Sequence, residues 1–475
     1  MKKMMRRMLC LTMAVMLVLS ATVGAMAANY EAGTYEELEN AFAGSANPEG
    51  DTTVNVNVTG DIGSGGNVLA TKEGWSYAVG STNSSTVTNI GFSGGGSVEI
   101  AGEIIDSSVR TSEGVTVTVN GDVNGQVSAE GGSTVTVEGN VTNETGVGVY
   151  SDGGTVKVTG EVTGGNIGVS AWNGSDVTVD GNVAGLDGDP EAVDYSDPKD
   201  FSDGGNGAYV NDSTLEVTGN VTGGNGYGTN GWGGTALSVN GISNVKVHGN
   251  AIGGSVTADP ATKGETEFWS YAGDGVDMDD PESTVYIGGN AIGGSTNGDG
   301  GYAGHGVIVE VEETDNPAGS LTVVGTAIGG KAENGHPGEG LHVDNDDTEI
   351  ALQDKPIPTI KLGGYDSLGA EDVTDAELEE LSRITGLPFR KVEVSVDSET
   401  GTFWGGVIRQ IRRAEKGTTL TIDAEGRTTM PATVAEAVKE CGVTLIIQWD
   451  GGEDITIDAD FNKAAVDGVY LLKDL

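Results

Sequence analysis

The sequence predicts a mainly β protein: a right-handed parallel β-helix, or β-solenoid, followed by a small C-terminal α/β domain. Three observations predict it. A short unit, V-x-V-x-G-[ND]-V, recurs from "VNVTGDI" at 56–62 to "LTVVGTAI" at 321–328. Glycine supplies 80 of 475 residues, yet valines alternate between the glycines as they do not in a flexible linker. The steps from Gly121 to Gly139, Gly160 and Gly181 are 18, 21 and 21 residues, the period of stacked coils.

In chain order, residues 1–27 read as an export signal. "MKKMMRRM" is basic, "LCLTMAVMLVLSATVGA" is apolar, and Ala25-Met26-Ala27 supplies a small-residue cleavage site. The expectation is a secreted, extracellular protein, with attachment to the cell surface an open alternative. The formal charge is −47, or −51 once Lys2, Lys3, Arg6 and Arg7 leave with the leader. So acidic a chain repels nucleic acid. Cys441 is then the one cysteine left, which excludes an intramolecular disulfide and a thiolate metal cluster. No later apolar run is long enough to span a membrane.

Residues 28–50 read as a lead-in that protects the open edge of the first coil. "TYEELENAFAG" predicts a helix with Thr34 and Glu37 spaced as a capping box. This helix-then-strand opening resembles the start of pectate-lyase-like right-handed parallel β-helix proteins. The resemblance is architectural and runs from residue 34 to about 365. It implies the fold and an affinity for carbohydrate, not an activity.

Residues 51–365 form the solenoid. Alternation turns Val135/Val137, Val156/Val158, Val177/Val179, Leu215/Val217, Val245/Val247 and Val285/Ile287 inward, and stacking converts these pairs into aliphatic columns. The glycine after each strand is expected to supply a positive-φ corner. Asn140, Asn182, Asn220, Asn250 and Asn290 follow it, placed to hydrogen-bond along the axis.

After residue 185 the steps lengthen, because loops enter at one place in each coil (186–205, 225–234, 255–273, 295–304 and 331–338). They carry Tyr195, Phe201, Tyr227, Trp232, Phe268, Trp269, Tyr271 and Tyr302, rings suited either to stacking on sugars or to packing the loops down. Each loop leads into a strand opening G-x-G-h-x-h. Its second position holds Asn206, Thr235, Asp274, His305 and Glu339, expected as an outward polar ladder. A further row is Asn211, Asn240, Asp279, Glu310 and Asp344.

These features predict a binding or adhesin-like scaffold. It would recognise glycan or a host or neighbour-cell macromolecule through Asn206, Asp274, His305, Glu339, Trp232, Trp269, Tyr271 and Tyr302. The alternative is a carbohydrate-active enzyme on the same face. "GHG" at 304–306 after Asp279-Asp280 resembles two polygalacturonase motifs, but that family's Asn-Thr-Asp and Arg-Ile-Lys motifs have no counterpart. Asp279-Asp280 also follows its strand, whereas Gly304-His305-Gly306 opens one. The partners in register with His305 are Asp274 and Glu339, two rungs or about 10 Å apart and near the upper end of inverting carboxylate separations. A polysaccharide lyase would need a base, and Arg110, Lys157, Lys246 and Lys263 share no rung. Calcium could be held by Asp187, Asp189, Asp194, Asp197 and Asp203, hard oxygen ligands on one loop, although the spacing matches no calcium motif.

Residues 366–475 change character. Thr374 and Glu377 open a helix that Gly386 ends; residues 403–417 predict a second helix; Pro431 opens a third that stops at Gly442. Strands "TTLTIDA", "VTLIIQW" and "DITIDA" interleave with them. This module resembles one that recurs at the C-terminal end of secreted proteins of gut Gram-positive bacteria. Cys441 reads as a small apolar core residue.

Overall fold

The computed structural model describes residues 28–43, 52–101 without Ser64, 108–194, 201–258, 270–311, 318–345, 355–389 without 372 and 373, and most of 404–475. They divide into two compact units. One comprises the described residues within 28–186, 206–221 and 239–249; the other comprises those within 187–205, 222–238 and 250–475.

The architecture is a parallel β-solenoid. In the first unit one sheet stacks Ala28–Ala32, Thr53–Val58, Ser76–Gly80, Ser97–Ala101, Thr116–Asn120 and Thr134–Val137, every neighbour parallel. It continues through Thr155–Val158, Asp176–Val179 and Thr214–Val217 to Asn244–Val247. The register is unbroken, so Val56, Val79, Ile100, Val119, Val137, Val158, Val179, Val217 and Val247 form one buried column. Val54, Tyr77, Val98, Val117, Val135, Val156, Val177, Leu215 and Val245 form the other. Each such side chain contributes about 1.5–3 kcal/mol of burial, which opposes the entropy cost of ordering the coil. Ser76–Gly80 and Ser97–Ala101 are further rungs; the first lacks the repeat's corner, whereas the second leads into Gly102-Glu103-Ile104, which matches Gly160-Glu161-Val162 in sequence.

The corner glycines differ from expectation. Of those at 121, 139, 160, 181, 219, 249, 289 and 325, Gly121 alone has positive φ. The requirement is space. A Cβ on Gly160, Gly181 or Gly219 would lie within about 3 Å of the backbone carbonyl of the preceding corner glycine. On Gly249 it would sit 2.5 Å from both Asn220 Oδ1 and the Gly219 carbonyl oxygen. The corner asparagines act mainly on backbone: Asn140 Oδ1 accepts the Glu161 N–H (2.9 Å) and Asn182 Oδ1 the Asn220 N–H (2.9 Å). In the second unit Asn250 Oδ1 accepts from Asn290, and Asn290 Oδ1 from Thr326 (both 2.8 Å). Each amide ties its coil to the next.

At the N-terminus, helix Tyr35–Ala43 carries the expected capping box: Thr34 Oγ1 accepts the Glu37 N–H and Glu37 Oε2 accepts the Thr34 N–H. Its apolar face buries Leu38, Ala41 and Phe42, with the Phe42 ring stacked 4.5 Å from that of Tyr77. The strand at the sheet edge, however, is Ala28–Ala32, which precedes the helix.

In the second unit the first sheet holds Thr284–Ile287, Ser320–Ile328 and Thr359–Tyr365. A second sheet holds Val276–Met278, Val307–Glu310, Leu341–Asp344 and Leu368–Glu371. A third, built from the inserted loops, holds Gly226–Tyr227, Val256–Thr257, Thr296–Tyr302 and Ala332–His336. All these pairings are parallel. The last rung therefore extends to Glu371.

The C-terminal region has its own core. Helix Asp375–Thr385 has the Thr374/Glu377 capping box, and Gly386 closes it in the left-handed region. Helix Ala432–Cys441 follows Pro431 and ends at Gly442. Trp404, Val407, Ile408 and Ile411, from the expected second helix, are buried with Val434, Val438, Leu445 and Ile457, and Cys441 packs half-buried beside them. Strand Thr444–Gln448 lies between Thr419–Asp423, parallel, and Ile455–Ile457, antiparallel. Among the described residues, no helix is long and apolar enough to cross a membrane.

Candidate functional site

The second sheet of the second unit places the polar ladder. Val276, Val307 and Leu341 are paired across neighbouring strands, so Asp274, His305 and Glu339, each two residues earlier, occupy successive coils. The rung expected beneath His305 is thus Asp274. The three residues are linked as the corner asparagines are. Asp274 Oδ1 accepts the His305 N–H (2.6 Å), and His305 Nδ1 lies 3.0 Å from the Glu339 N–H that it accepts. Burial pushes the Asp274 carboxyl above its ordinary range, against the opposing influence of His305 and the amide it accepts.

His342 completes a cluster that sequence reasoning missed. Leu341 and Val343 point into the core, so His342 faces outward, three residues beyond Glu339. Glu339 Oε2 lies 2.8 Å from His305 Nδ1 and 3.4 Å from His342 Nδ1, and the two imidazole centroids are 4.4 Å apart. Burial would raise the Glu339 carboxyl, but the neighbouring His305 and His342 imidazoles outweigh it and hold the group at about 2. The available signal was a histidine at the outward position of a strand whose opening already held an acid. The side chain of Glu339 has room because Gly369, paired with His342 on the next strand, has no side chain; a Cβ there would meet Glu339 Cγ and Cδ at 2.7 Å.

On the same sheet Asp277, Ile308 and His342 form one outward column. Burial first, and then the neighbouring Asp279 carboxylate, push the Asp277 carboxyl well above the usual carboxylate range. Asp277, Asp279 and Glu310 present one oxygen each within 4.8 Å of one another. Asp280 instead caps a turn, accepting the Glu282 N–H at 3.0 Å. The Asp279-Asp280 pair therefore splits between two jobs.

The loop aromatics form a column. Trp232, Tyr271 and Tyr302 sit on successive bridged positions. Their ring centroids are 5.4 Å (Trp232–Tyr271) and 5.0 Å (Tyr271–Tyr302) apart, and His336 extends the stack at 4.3 Å. Stacking along the axis spends the faces of Tyr271 and Tyr302 on one another, which leaves their edges for a ligand. Trp232 is 56% exposed, and its backbone N–H is held by Asp203 Oδ1 at 2.8 Å. Burial raises the Asp203 carboxyl, and the Trp232 amide partly offsets this.

Asn206 lies in the first unit, on strand Asn206–Asn211, where its N–H donates to the Asn166 carbonyl (2.7 Å). Of the aspartates considered for calcium, Asp187 Oδ1 accepts from the Asn225 backbone (2.7 Å) and side chain, and Asp189 Oδ1 accepts the Glu191 N–H. Among the described residues, no group of three metal-ligand atoms includes Asp187, Asp189, Asp194 or Asp203. Asp197, Tyr195, Phe268 and Trp269 lie outside the described residues. The two three-ligand groups in the second unit are Asp277/Asp279/Glu310 and His305/Glu339/His342, and both belong to the sheet that carries the ladder. No family model matches the chain, and no curated protein or solved structure is found similar to it.

Proposed function

We propose that this is an exported, extracellular or cell-surface binding scaffold. It recognises glycan or a host or neighbour macromolecule along the loop-bearing edge of the second unit. The single observation behind this reading is Trp232: a residue 56% exposed, its backbone N–H held by Asp203 and its ring backed by the Tyr271–Tyr302–His336 stack. A rigid ring with an open face and carboxylates nearby suits a pyranose, whose C–H face stacks and whose hydroxyls need acceptors. Export rests on residues 1–27, and kinship with pectate-lyase-like proteins rests on the coil architecture; both belong to this reading. Calcium on the 186–205 loop would serve as an accessory ion for an acidic glycan.

A glycan array probed with and without calcium, using the purified protein and Trp232→Ala, tests the proposal. Selective binding that Trp232→Ala loses by at least about 10-fold supports it; a stacked aromatic is worth roughly that. Unchanged binding by the variant would refute the assignment of the face.

One observation favours a second reading, a carbohydrate-active enzyme. Asp277 and His342 share one outward column two strands apart, which brings the Asp277 carboxyl, pushed up by burial, and the Glu339 carboxylate to one part of the sheet as the unlike pair that glycoside hydrolysis uses. Release of reducing sugar from acidic polysaccharides, abolished by Asp277→Asn, would establish it over the scaffold reading.

A further inference from the structure

The cluster of His305, Glu339 and His342 has a distinctive donor chemistry. His305 Nδ1 lies 3.0 Å from the Glu339 backbone N–H, an arrangement that needs a lone pair on that nitrogen. The same nitrogen lies 2.8 Å from Glu339 Oε2, which carries only lone pairs when ionised. Nδ1 has a single lone pair, so a positive centre held between it and Oε2, a proton or a cation, takes the place of the Glu339 N–H as its partner. Oε2 also lies 3.4 Å from His342 Nδ1, so the centre would be shared by three groups.

Around a tetrahedral ion with ligands at about 2.0–2.1 Å, ligand atoms stand about 3.3–3.4 Å apart. The observed 2.8 and 3.4 Å need only a small opening of the His305–Glu339 pair. Two imidazoles and one carboxylate suit zinc and its neighbours in the first transition row, whereas calcium and magnesium take oxygen sets. The side chains are 21%, 32% and 11% exposed for His305, Glu339 and His342, so the cluster is open enough for water to take a fourth position. Glu339 and His342 come from one strand and its opening, His305 from the coil next to it, and the inter-coil hydrogen bonds hold that spacing before any ion arrives.

We infer that His305, Glu339 and His342 form a mononuclear site for a divalent transition ion of the zinc class, with water in an open position. The inference stands on this cluster and not on the glycan reading, so either can fail without the other.

The test uses the purified protein without a polyhistidine tag, in excess calcium to fill weak carboxylate sites. It is titrated with cobalt(II), read by its visible absorption, and then with competing zinc. The expected result is one tight ion per chain with a four- or five-coordinate cobalt spectrum that zinc abolishes. His342→Ala and His305→Asn should each weaken binding by at least about 10-fold. Asparagine keeps an acceptor for the Glu339 amide, as it does at the corners, so His305→Asn preserves the rung. Circular dichroism identical to that of the unaltered protein confirms that the variants are folded. Binding by either variant as tight as that of the unaltered protein would overturn the site. So would the absence of saturable uptake by the unaltered protein, in which case the centre is only a proton shared by histidine and glutamate.

Discussion

Replacing Gly160 with alanine tests why the solenoid corners are glycine. Gly160 has no positive φ, so the backbone conformation itself does not forbid a side chain. In such a position alanine ordinarily stabilises, by about 0.4–1 kcal/mol, because it restricts the unfolded chain. Here an added Cβ would fall within about 3 Å of the Gly139 carbonyl carbon and oxygen and of Asn140 Oδ1. These are backbone atoms and a side chain already pinned by the Glu161 N–H, so none can swing aside. The coils must separate locally, at the cost of overpacking, about 1–3 kcal/mol. Gly80 is the control: its φ is not positive and a Cβ there has nothing within 4 Å. Urea unfolding should show Gly160→Ala less stable and Gly80→Ala equal or more stable. Hydrogen exchange should locate the loss at the Glu161 amide, one coil junction, because each coil touches only its neighbours. If Gly160→Ala proves neutral or stabilising, the coils are not in the close contact described and the spatial account of the corners is wrong.

Asn182→Ala removes the acceptor of the Asn220 N–H at 2.9 Å and should cost about 0.5–1.5 kcal/mol, read as faster exchange at that amide. Val217→Ala deletes two methyl groups from a fully buried position between Val179 and Val247, a loss of about 2–3 kcal/mol measurable by urea unfolding. Asp277 sets a pH dependence. Its carboxyl ionises near 3.8 when unfolded but keeps its proton to higher pH when folded, so stability falls as pH rises through that window. Asp277→Asn should flatten this slope in urea midpoints taken from about pH 4 to about pH 8, and an unchanged slope would mean the group is not protonated.

The solenoid was legible because its physics is local and periodic. Alternating valines, glycine spacing and corner asparagines mark each coil, and the columns through Val158 and Val156 follow from them directly. The rung at Ser76–Gly80 has no recurring corner to mark it, whereas "VEIAGEI" at 98–104 repeats the pattern of "VKVTGEV" at 156–162 and made the rung at Ser97–Ala101 legible. The capping boxes at Thr34 and Thr374 were readable for the same local reason.

The site was only half legible. Register alone places Asp274 beneath His305 and detaches Asp279-Asp280 from it, since both follow from counting along aligned strand openings. Composition could not show that Tyr271 and Tyr302 would stack on each other, because that depends on where the loops bring their rings. Nor could it show that Glu339 turns toward His342, a residue on the same strand that alternation would not pair with it.

The sequence by itself determined the repeating coil, its core columns and the order of its polar rungs, because hydrophobic alternation and glycine spacing act between neighbours in the chain. The tertiary structure alone decided that the corner glycines serve close approach and that two histidines converge on one glutamate. Those outcomes depend on distances between residues tens of positions apart, which only the stacked backbone sets.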